Sequence, residues 1–203
     1  MNIRQTYDLI ARDWHEDHKY DDWWIDGTKK FASLFKKDDL IFDVGCAGGT
    51  KSSFLVQKGL RVVGIDLSEE MIKIAKQEAP SCDFYCLDLF DAANLEYIFD
   101  GIFIQAVLLH IPKTHVISAL QNLVKKLKPG GFLYIAVKEK RSGQPEEEVK
   151  AESDYGYNYQ RFFSYYDNQE IESIFQEIGL VVVFNQVSKS GKTNWLQMIG
   201  QLT

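Results

Sequence analysis

Short apolar runs alternate with stretches of helical periodicity along most of this sequence. The runs occupy residues 40–44, 60–65, 82–87, 101–107, 132–137, 180–187 and 195–199. Such alternation is typical of strand–helix–strand units, in which successive strands run parallel and helices cover the sheet. We therefore predict an α/β fold with a doubly wound, mostly parallel sheet of seven strands and helices on both faces.

Length and composition favour one domain. The chain has 203 residues, of which 45% are hydrophobic, and this is enough for one complete core but few for two. We predict a single domain over residues 1–203, with a helical N-terminal cap over 1–37. The segment 138–166 is polar and charged and interrupts the alternation, so we expect an insertion there.

Residues with strong end preferences mark several predicted helix boundaries. Ser68 and Asp167 are expected N-caps, because their side-chain oxygens can accept a hydrogen bond from a free amide of the first turn. Pro112 is expected at the start of another helix, where its missing N–H costs nothing. Gly179 is expected to end the last helix, because glycine readily adopts a left-handed conformation.

Three features follow the first three predicted strands at their carboxyl ends. They are the loop 43–49 (Asp-Val-Gly-Cys-Ala-Gly-Gly), Asp66 and Asp88. Ligands of open parallel sheets bind at this edge, and glycines let the backbone approach a ligand closely. Asp66 stands 21 residues after Gly45, a spacing that suits a carboxylate accepting hydrogen bonds from two ribose hydroxyls. Together the three features predict a nucleoside-containing cofactor.

The adenine ring of such a cofactor is expected beside the two aspartates. Asp88 can accept a hydrogen bond from the adenine amino group. The apolar neighbours of the two acids can enclose the ring, and they are Leu67, Met71 and Leu89. For Met71, a place in the ordinary core is an equally good interpretation.

The loop does not have the spacing of a dinucleotide-binding motif. From Gly45 onward that motif needs glycine at the third and sixth positions, which here are alanine and threonine, and this disfavours an NAD-dependent oxidoreductase. The sequence instead resembles the class I S-adenosylmethionine-dependent methyltransferases, whose first motif has an acid followed by glycines two, four and six positions later. Asp43, Gly45 and Gly49 match this motif. Ala47 replaces the middle glycine, and Gly48 is expected to absorb the bend there.

The resemblance extends over residues 38–138. It includes the segments 63–68, 88–89, 99–103 and 127–131, which are similar to later motifs of the same superfamily. The resemblance implies S-adenosylmethionine as the cofactor. It also implies the strand order 3-2-1-4-5-7-6, with the seventh strand antiparallel.

The resemblance further implies which residues surround the cofactor. The loop residues expected to touch it are Gly45, Cys46, Ala47 and Gly49, the first two near its methionine carboxylate. Gln105 and Ala106, at the end of the fourth strand, are expected to flank the methionine part. Tyr7 or Trp14 of the N-terminal helix can place a ring against the sulfonium, although packing of the helix on the sheet explains both residues as well.

By this resemblance the chain is expected to transfer a methyl group to a small molecule. His110, just past the fourth strand, is the candidate general base, since a histidine there titrates near neutral pH; a local packing role is the alternative. The segment 138–166 is expected to form either a substrate lid, lined by Tyr157 and Arg161, or a disordered surface loop. A non-catalytic module that binds S-adenosylmethionine is the alternative function.

Charge, cysteines and histidines narrow the range of partners. The formal net charge of −6 disfavours nucleic acid, and no apolar run approaches the ~20 residues that a membrane span needs. The three cysteines cannot all pair within one chain, so we expect free thiols and a cytoplasmic location. His15 and His18 lie among acidic residues on a helix face that is expected to be solvated, and no metal is predicted.

Overall fold

The structure, a computed structural model, describes residues 2–203; Met1, the first residue of the predicted cap, lies outside the described residues. The helices are α1 (Ile3–His18), α2 (Ile25–Ala32), α3 (Thr50–Gln57), α4 (Glu69–Glu78), α5 (Lys113–Val124) and α6 (Asn168–Glu177). The strands are β1 (Leu40–Val44), β2 (Arg61–Asp66), β3 (Asp83–Cys86), β4 (Phe99–Gln105), β5 (Leu127–Lys138), β6 (Glu147–Glu152), β7 (Tyr159–Ser164), β8 (Leu180–Ser190) and β9 (Thr193–Leu202). Each predicted strand overlaps one of these, whereas β6 and β7 were not predicted.

One sheet contains seven of the strands, in the order β3-β2-β1-β4-β5-β9-β8. β9 runs antiparallel to both of its neighbours, and the other pairs are parallel. The predicted order is therefore confirmed, with β8 and β9 as its sixth and seventh strands. Val44 of β1 pairs with Ile65 of β2 and Ile104 of β4, so these strands end at the same level. The loops that follow them emerge side by side at one edge.

Both faces of the sheet are covered by helices. On one face, Phe42 of β1 belongs to a buried core that includes Leu120 of α5 and Phe175 of α6. On the other face, Ile41 of the same strand is buried in a core with Phe31 of α2 and residues of α3 and α4. Because successive residues of a strand point to opposite faces, burial on both sides requires nearly continuous apolar runs. This explains why the strands stand out in the sequence.

The predicted helix ends are confirmed. Ser68 caps α4 and Asp167 caps α6, each by accepting a hydrogen bond from the backbone N–H three residues on, at 3.2 and 2.8 Å. Pro112 directly precedes α5, and Gly179 follows α6 with a φ of 79°. Among the described residues, no helix combines the length and the apolar character that crossing a membrane requires.

The segment 138–166 contains regular structure. β5 continues through Lys138, and β6 and β7 pair antiparallel in a ribbon that we call the β6–β7 hairpin. Ser164 anchors β7, because its Oγ donates a hydrogen bond to the carbonyl oxygen of Ile111 at 2.7 Å. The disordered-loop alternative is therefore wrong for the residues of this hairpin. Its movement as a lid stays a prediction.

Candidate functional site

The loop after β1 bends through the left-handed region of backbone conformation. Gly45, Ala47 and Gly49 have φ angles of 71°, 46° and 81°. This region costs a residue with a side chain about 1–2 kcal/mol, so Ala47 is strained. Gly48 has no positive φ, and the prediction that it absorbs the bend is therefore wrong. Strained backbone of this kind persists only where the surrounding structure holds it in place, and it is concentrated at ligand sites.

The loop is held tightly between β2 and the end of β4. The backbone N–H groups of Gly45 and Cys46 both donate to the carbonyl oxygen of Ile65, at 2.8 and 2.9 Å. Neither donor is left for a carboxylate, so these two residues can offer a ligand close backbone approach but no amide hydrogen bond. On the other side, a Cβ at Gly45 would lie 2.2 Å from Cγ2 of Val107. Glycine is therefore required there by space as well as by conformation.

Gly48 is a glycine because helix α1 packs directly on the loop. A Cβ at Gly48 would lie 2.2 Å from Nδ1 of His15, and the His15 side chain is buried. The prediction of a solvated helix face is therefore wrong for His15. The neighbouring His18 stacks on Trp14, with ring centroids 4.4 Å apart. Within residues 2–203, no group of three or more His, Cys, Asp or Glu side chains is arranged to hold a metal.

Asp66 lies between the loops that follow β1 and β2. One carboxylate oxygen accepts a hydrogen bond from Ala47 N at 3.0 Å and the other from Ser68 N at 2.9 Å. Burial raises the pKa of Asp66 to about 6. An ionised carboxylate has about four acceptor positions, so Asp66 retains capacity for two more donors. The second acid of the region, Asp43, accepts a hydrogen bond from Ser52 Oγ at 2.5 Å and so fixes the start of α3.

The end of β4 carries a buried polar atom without a partner. Oε1 of Gln105 is buried and accepts no hydrogen bond from the described residues. A buried acceptor without a donor costs about 1–3 kcal/mol and is uncommon outside functional sites. The next residue, Ala106, has a φ of 58°, so it is strained in the same way as Ala47. The ends of β1 and β4 thus both show features that are typical of a ligand site.

The predicted adenine contacts lie on the side of β2 and β3. Met71 is fully buried on α4, and Leu67 is half-buried. Asp88 is exposed and accepts a hydrogen bond from Phe90 N at 3.0 Å, so it caps the short 3-10 helix that begins at Leu89. Leu89 is half-buried against the core. Because Asp88 already has this structural role, its contact with an adenine stays a prediction.

His110 is fixed at both ring nitrogens. Its Nδ1 lies 2.8 Å from the carbonyl oxygen of Phe162, and its Nε2 lies 2.8 Å from the hydroxyl of Tyr7. A carbonyl only accepts, so Nδ1 carries the hydrogen and Nε2 accepts from the Tyr7 hydroxyl. Burial lowers the pKa of His110 to about 3 and raises the pKa of Tyr7. The prediction that His110 titrates near neutral pH is therefore wrong for this arrangement.

Arg161 is paired within the β6–β7 hairpin. Its guanidinium donates to both carboxylate oxygens of Glu152, at 2.6 and 2.7 Å, and a third nitrogen lies 3.5 Å from the Tyr7 hydroxyl. Arg161 is thus brought to the Tyr7–His110 pair, but its charge is already balanced. Tyr157 is 41% exposed, in the turn between β6 and β7, and its substrate contact stays a prediction. Glu152 was not predicted, because its partner lies across the hairpin.

Comparisons with known proteins agree with the geometry. A family model described as "Methyltransferase domain" matches residues 41–131. The chain is 35% identical over 130 residues to phosphoethanolamine N-methyltransferase 1 of Zea mays, over 60% of this chain and 25% of that protein. It is 28% identical over 148 residues to a ubiquinone biosynthesis O-methyltransferase of Chromobacterium violaceum, over 67% and 62% of the two chains. Residues 41–131 thus match a methyltransferase domain, and the chain is similar to methyltransferases.

The likeness in fold extends over the whole chain. The structure of Burkholderia thailandensis 1,6-didemethyltoxoflavin-N1-methyltransferase, solved with 1,6-didemethyltoxoflavin and S-adenosylhomocysteine, aligns with a TM-score of 0.79 and 18% identity, over 99% of this chain and 87% of that one. The matched methyltransferase segment contains the predicted cofactor residues from Gly45 to Ala106 and leaves out Tyr7, Trp14 and the β6–β7 hairpin. The matches span 25% and 62% of the two curated methyltransferases.

Proposed function

We propose that the protein binds S-adenosylmethionine at the carboxyl edge of the sheet and transfers its methyl group to a small molecule. The observation that carries this proposal is the meeting of three features at neighbouring strand ends: the Asp66 carboxylate, the left-handed loop and the unsatisfied Oε1 of Gln105. A carboxylate suits two ribose hydroxyls, and a buried amide oxygen suits an ammonium group. The methyltransferase names of the relatives support the same function.

The residues around this edge suit the demands of methyl transfer. When bound, S-adenosylmethionine supplies a methyl group that its sulfonium already activates, so the chain mainly has to orient the reactants and exclude water. Helix α1 supports exclusion of water, because His15 covers the loop and Tyr7 covers His110. Tyr7 or Trp14 facing the sulfonium is part of the same proposal.

His110 as a general base is the second part of the proposal. An acceptor would have to replace the Tyr7 hydroxyl at Nε2, the nitrogen with a free lone pair. With a pKa of about 3, His110 is a weak proton acceptor in this arrangement, since a base works best with a pKa near the working pH. Acceptors that arrive ionised, or as unprotonated amines that can lose a proton after the transfer, therefore fit this site better than neutral alcohols.

Ligand-dependent stability tests cofactor binding. At a hundredfold excess over its dissociation constant, a ligand of the folded state adds about 2.7 kcal/mol, which raises the Tm of a chain of this size by about 5–10 °C. We expect S-adenosylhomocysteine to produce this shift and NAD to produce none. An Asp66→Ala variant is expected to lose the shift, whereas Asp26→Ala, a change at an aspartate that is 85% exposed on its side chain, is expected to keep it.

Two outcomes contradict the proposal at different points. A shift with NAD and none with S-adenosylhomocysteine would support the oxidoreductase alternative and overturn the cofactor assignment. Binding of S-adenosylhomocysteine without turnover of labelled S-adenosylmethionine across a panel of oxygen, nitrogen and sulfur acceptors would support the non-catalytic module instead.

The class of acceptor, the cellular compartment and the substrate lid belong to the same proposal. The net charge of −6 supports small molecules as acceptors over nucleic acid, and the three free cysteines support a reducing, cytoplasmic compartment.

The single domain would carry the β6–β7 hairpin as its substrate lid. Thr6 Oγ1 on α1 donates to the carbonyl oxygen of Gln160 on this hairpin at 3.1 Å, so opening the site separates the two elements. Equal proteolysis within 138–166 with and without ligands would contradict the lid.

A further inference from the structure

Lys138 is a cation without an anionic partner at the carboxyl end of β5. Its side chain is half-buried, with Nζ 4.3 Å from the ring centroid of Phe163 and 5.7 Å from that of Trp195. Within residues 2–203, Nζ makes neither a hydrogen bond nor an ion pair. Burial and the nearby Arg161 and Lys150 lower its pKa to about 8, so the amine is still mostly protonated at neutral pH.

A second donor without an acceptor lies beside it. Trp195 of β9 pairs with Lys138 across the sheet, and its Nε1 is buried without a hydrogen-bond partner among the described residues. Indole N–H groups usually find an acceptor when buried. Two donors, one cationic and one neutral, thus lie on paired residues of neighbouring strands, and neither finds an acceptor among the described residues.

The two cations of the β6–β7 hairpin that lie near Lys138 are already balanced. Arg161 is bound by Glu152, and Lys150 lies 3.3 Å from a carboxylate oxygen of Glu148. These pairs leave Lys138 available to an incoming anion, whereas the guanidinium of the nearby Arg141 donates to the carbonyl oxygen of Lys192. Because the surroundings are buried and aromatic, a charge-assisted hydrogen bond there is stronger than one at the protein surface.

Flat aromatic side chains surround Lys138 and Trp195. The Trp195 ring stacks on Trp23 with centroids 4.0 Å apart and an angle of 6° between the planes. Leu109, Phe163, Tyr165 and Trp195 form one buried cluster, against which Trp23 and Ala106 pack. The cluster adjoins the candidate transfer site, because Ala106 follows Gln105 and the His110 ring lies 5.0 Å from the Phe163 ring.

We propose that Lys138 and Trp195 form the acceptor subsite, and that the methyl acceptor is a planar ring compound with a carboxylate. The two donors match the two oxygens of that group, and the aromatic walls match the ring. The inference rests on the proposed methyl transfer and narrows its substrate class.

Benzoate and benzamide test the subsite, because they share shape and differ in charge. Each would be titrated into the full-length protein, with and without S-adenosylhomocysteine, and read by NMR from the indole N–H resonance of Trp195. We expect benzoate to bind about tenfold more tightly than benzamide, the difference between a charge-assisted and a neutral hydrogen bond. Lys138→Met is expected to reduce this preference to less than about twofold. Lys30→Met, the same change at an exposed lysine of α2, is expected to preserve it.

The Trp195→Phe variant tests the contribution of the indole N–H separately from that of the Lys138 ammonium. It keeps an aromatic ring and removes the N–H, so benzoate and benzamide should both weaken, read from shifts of neighbouring backbone amides. Equal binding of the two probes to the unchanged protein, no binding at millimolar concentration, or a preference that survives in Lys138→Met would overturn the subsite. Binding of S-adenosylhomocysteine is measured on the same samples, so loss of the cofactor site is recognised as a failure of the proposed function instead.

Discussion

Replacing Gly48 by alanine is expected to disturb the contact between the glycine loop and α1. The new Cβ would lie 2.2, 2.8 and 2.9 Å from three atoms of the His15 ring, and real Cβ atoms do not approach other atoms within 3.0 Å. His15 is only 5% exposed, so its ring has little room to retreat. Gly48 lies outside the left-handed region, and alanine is therefore compatible with the backbone itself.

The magnitude follows from two opposing effects. Overpacking a buried contact costs about 1–3 kcal/mol. Alanine in place of glycine also restricts the unfolded chain, which contributes about 0.4–1 kcal/mol in favour of the folded state. With His15 present, the net effect of Gly48→Ala is a loss of about 1–2 kcal/mol. With alanine at position 15, the clash is gone and the same substitution should be neutral or slightly stabilising.

A double-mutant cycle checks this reasoning. The free energy of unfolding in urea would be measured for the unchanged protein, Gly48→Ala, His15→Ala and the double variant. We expect a coupling energy of about 1–3 kcal/mol between the two positions, well above the roughly 0.3–0.5 kcal/mol found for independent sites. If Gly48→Ala has the same effect in both backgrounds, then α1 does not pack on the loop through His15.

Two further predictions concern the strained loop and His110. Ala47→Gly should raise the free energy of unfolding by about 1 kcal/mol, because relief of left-handed strain exceeds the added freedom of the unfolded chain. A lower Tm for this variant in a thermal scan would contradict the left-handed conformation of Ala47. The His110 ring should stay neutral between about pH 5 and about pH 8 in an NMR titration, since its folded pKa of about 3 lies below its ordinary value. Its contribution to stability is therefore present above about pH 6.5 and is lost as the pH falls towards 3. A His110 resonance that titrates near pH 6.5 would refute this arrangement.

The fold could be predicted because its determinants are local. Strands buried on both faces appear as apolar runs, and Ser68 and Asp167 act on amides only three residues away. The β6–β7 hairpin could not be predicted in the same way. Residues 147–152 alternate between exposed and half-buried positions, and four of the six are charged, so no apolar face distinguishes them from a loop.

The same distinction between local and distant determinants applies to the residues of the candidate site. Asp66 and Gln105 could be found because each ends a strand, and position along the chain determines where a strand end lies. The pairing of Lys138 with Trp195 depends on the register of β5 with β9, and that register joins segments 57 residues apart. The titration of His110 depends on burial by Tyr7 and Phe162, two residues far away in sequence. Such contacts exist only in the folded chain.

Helix α1 contacts the ligand-facing elements on both sides. His15 meets the glycine loop, Asp8 accepts a hydrogen bond from Ser68 Oγ at 2.7 Å, and Thr6 reaches the β6–β7 hairpin. One helix therefore borders the proposed cofactor site on one side and the proposed acceptor site on the other. Any opening of α1 that lets the spent cofactor leave also uncovers the acceptor. We therefore expect the exchange of the two ligands to share one slow step, so that turnover and cofactor release respond together to viscosity and to substitutions in α1.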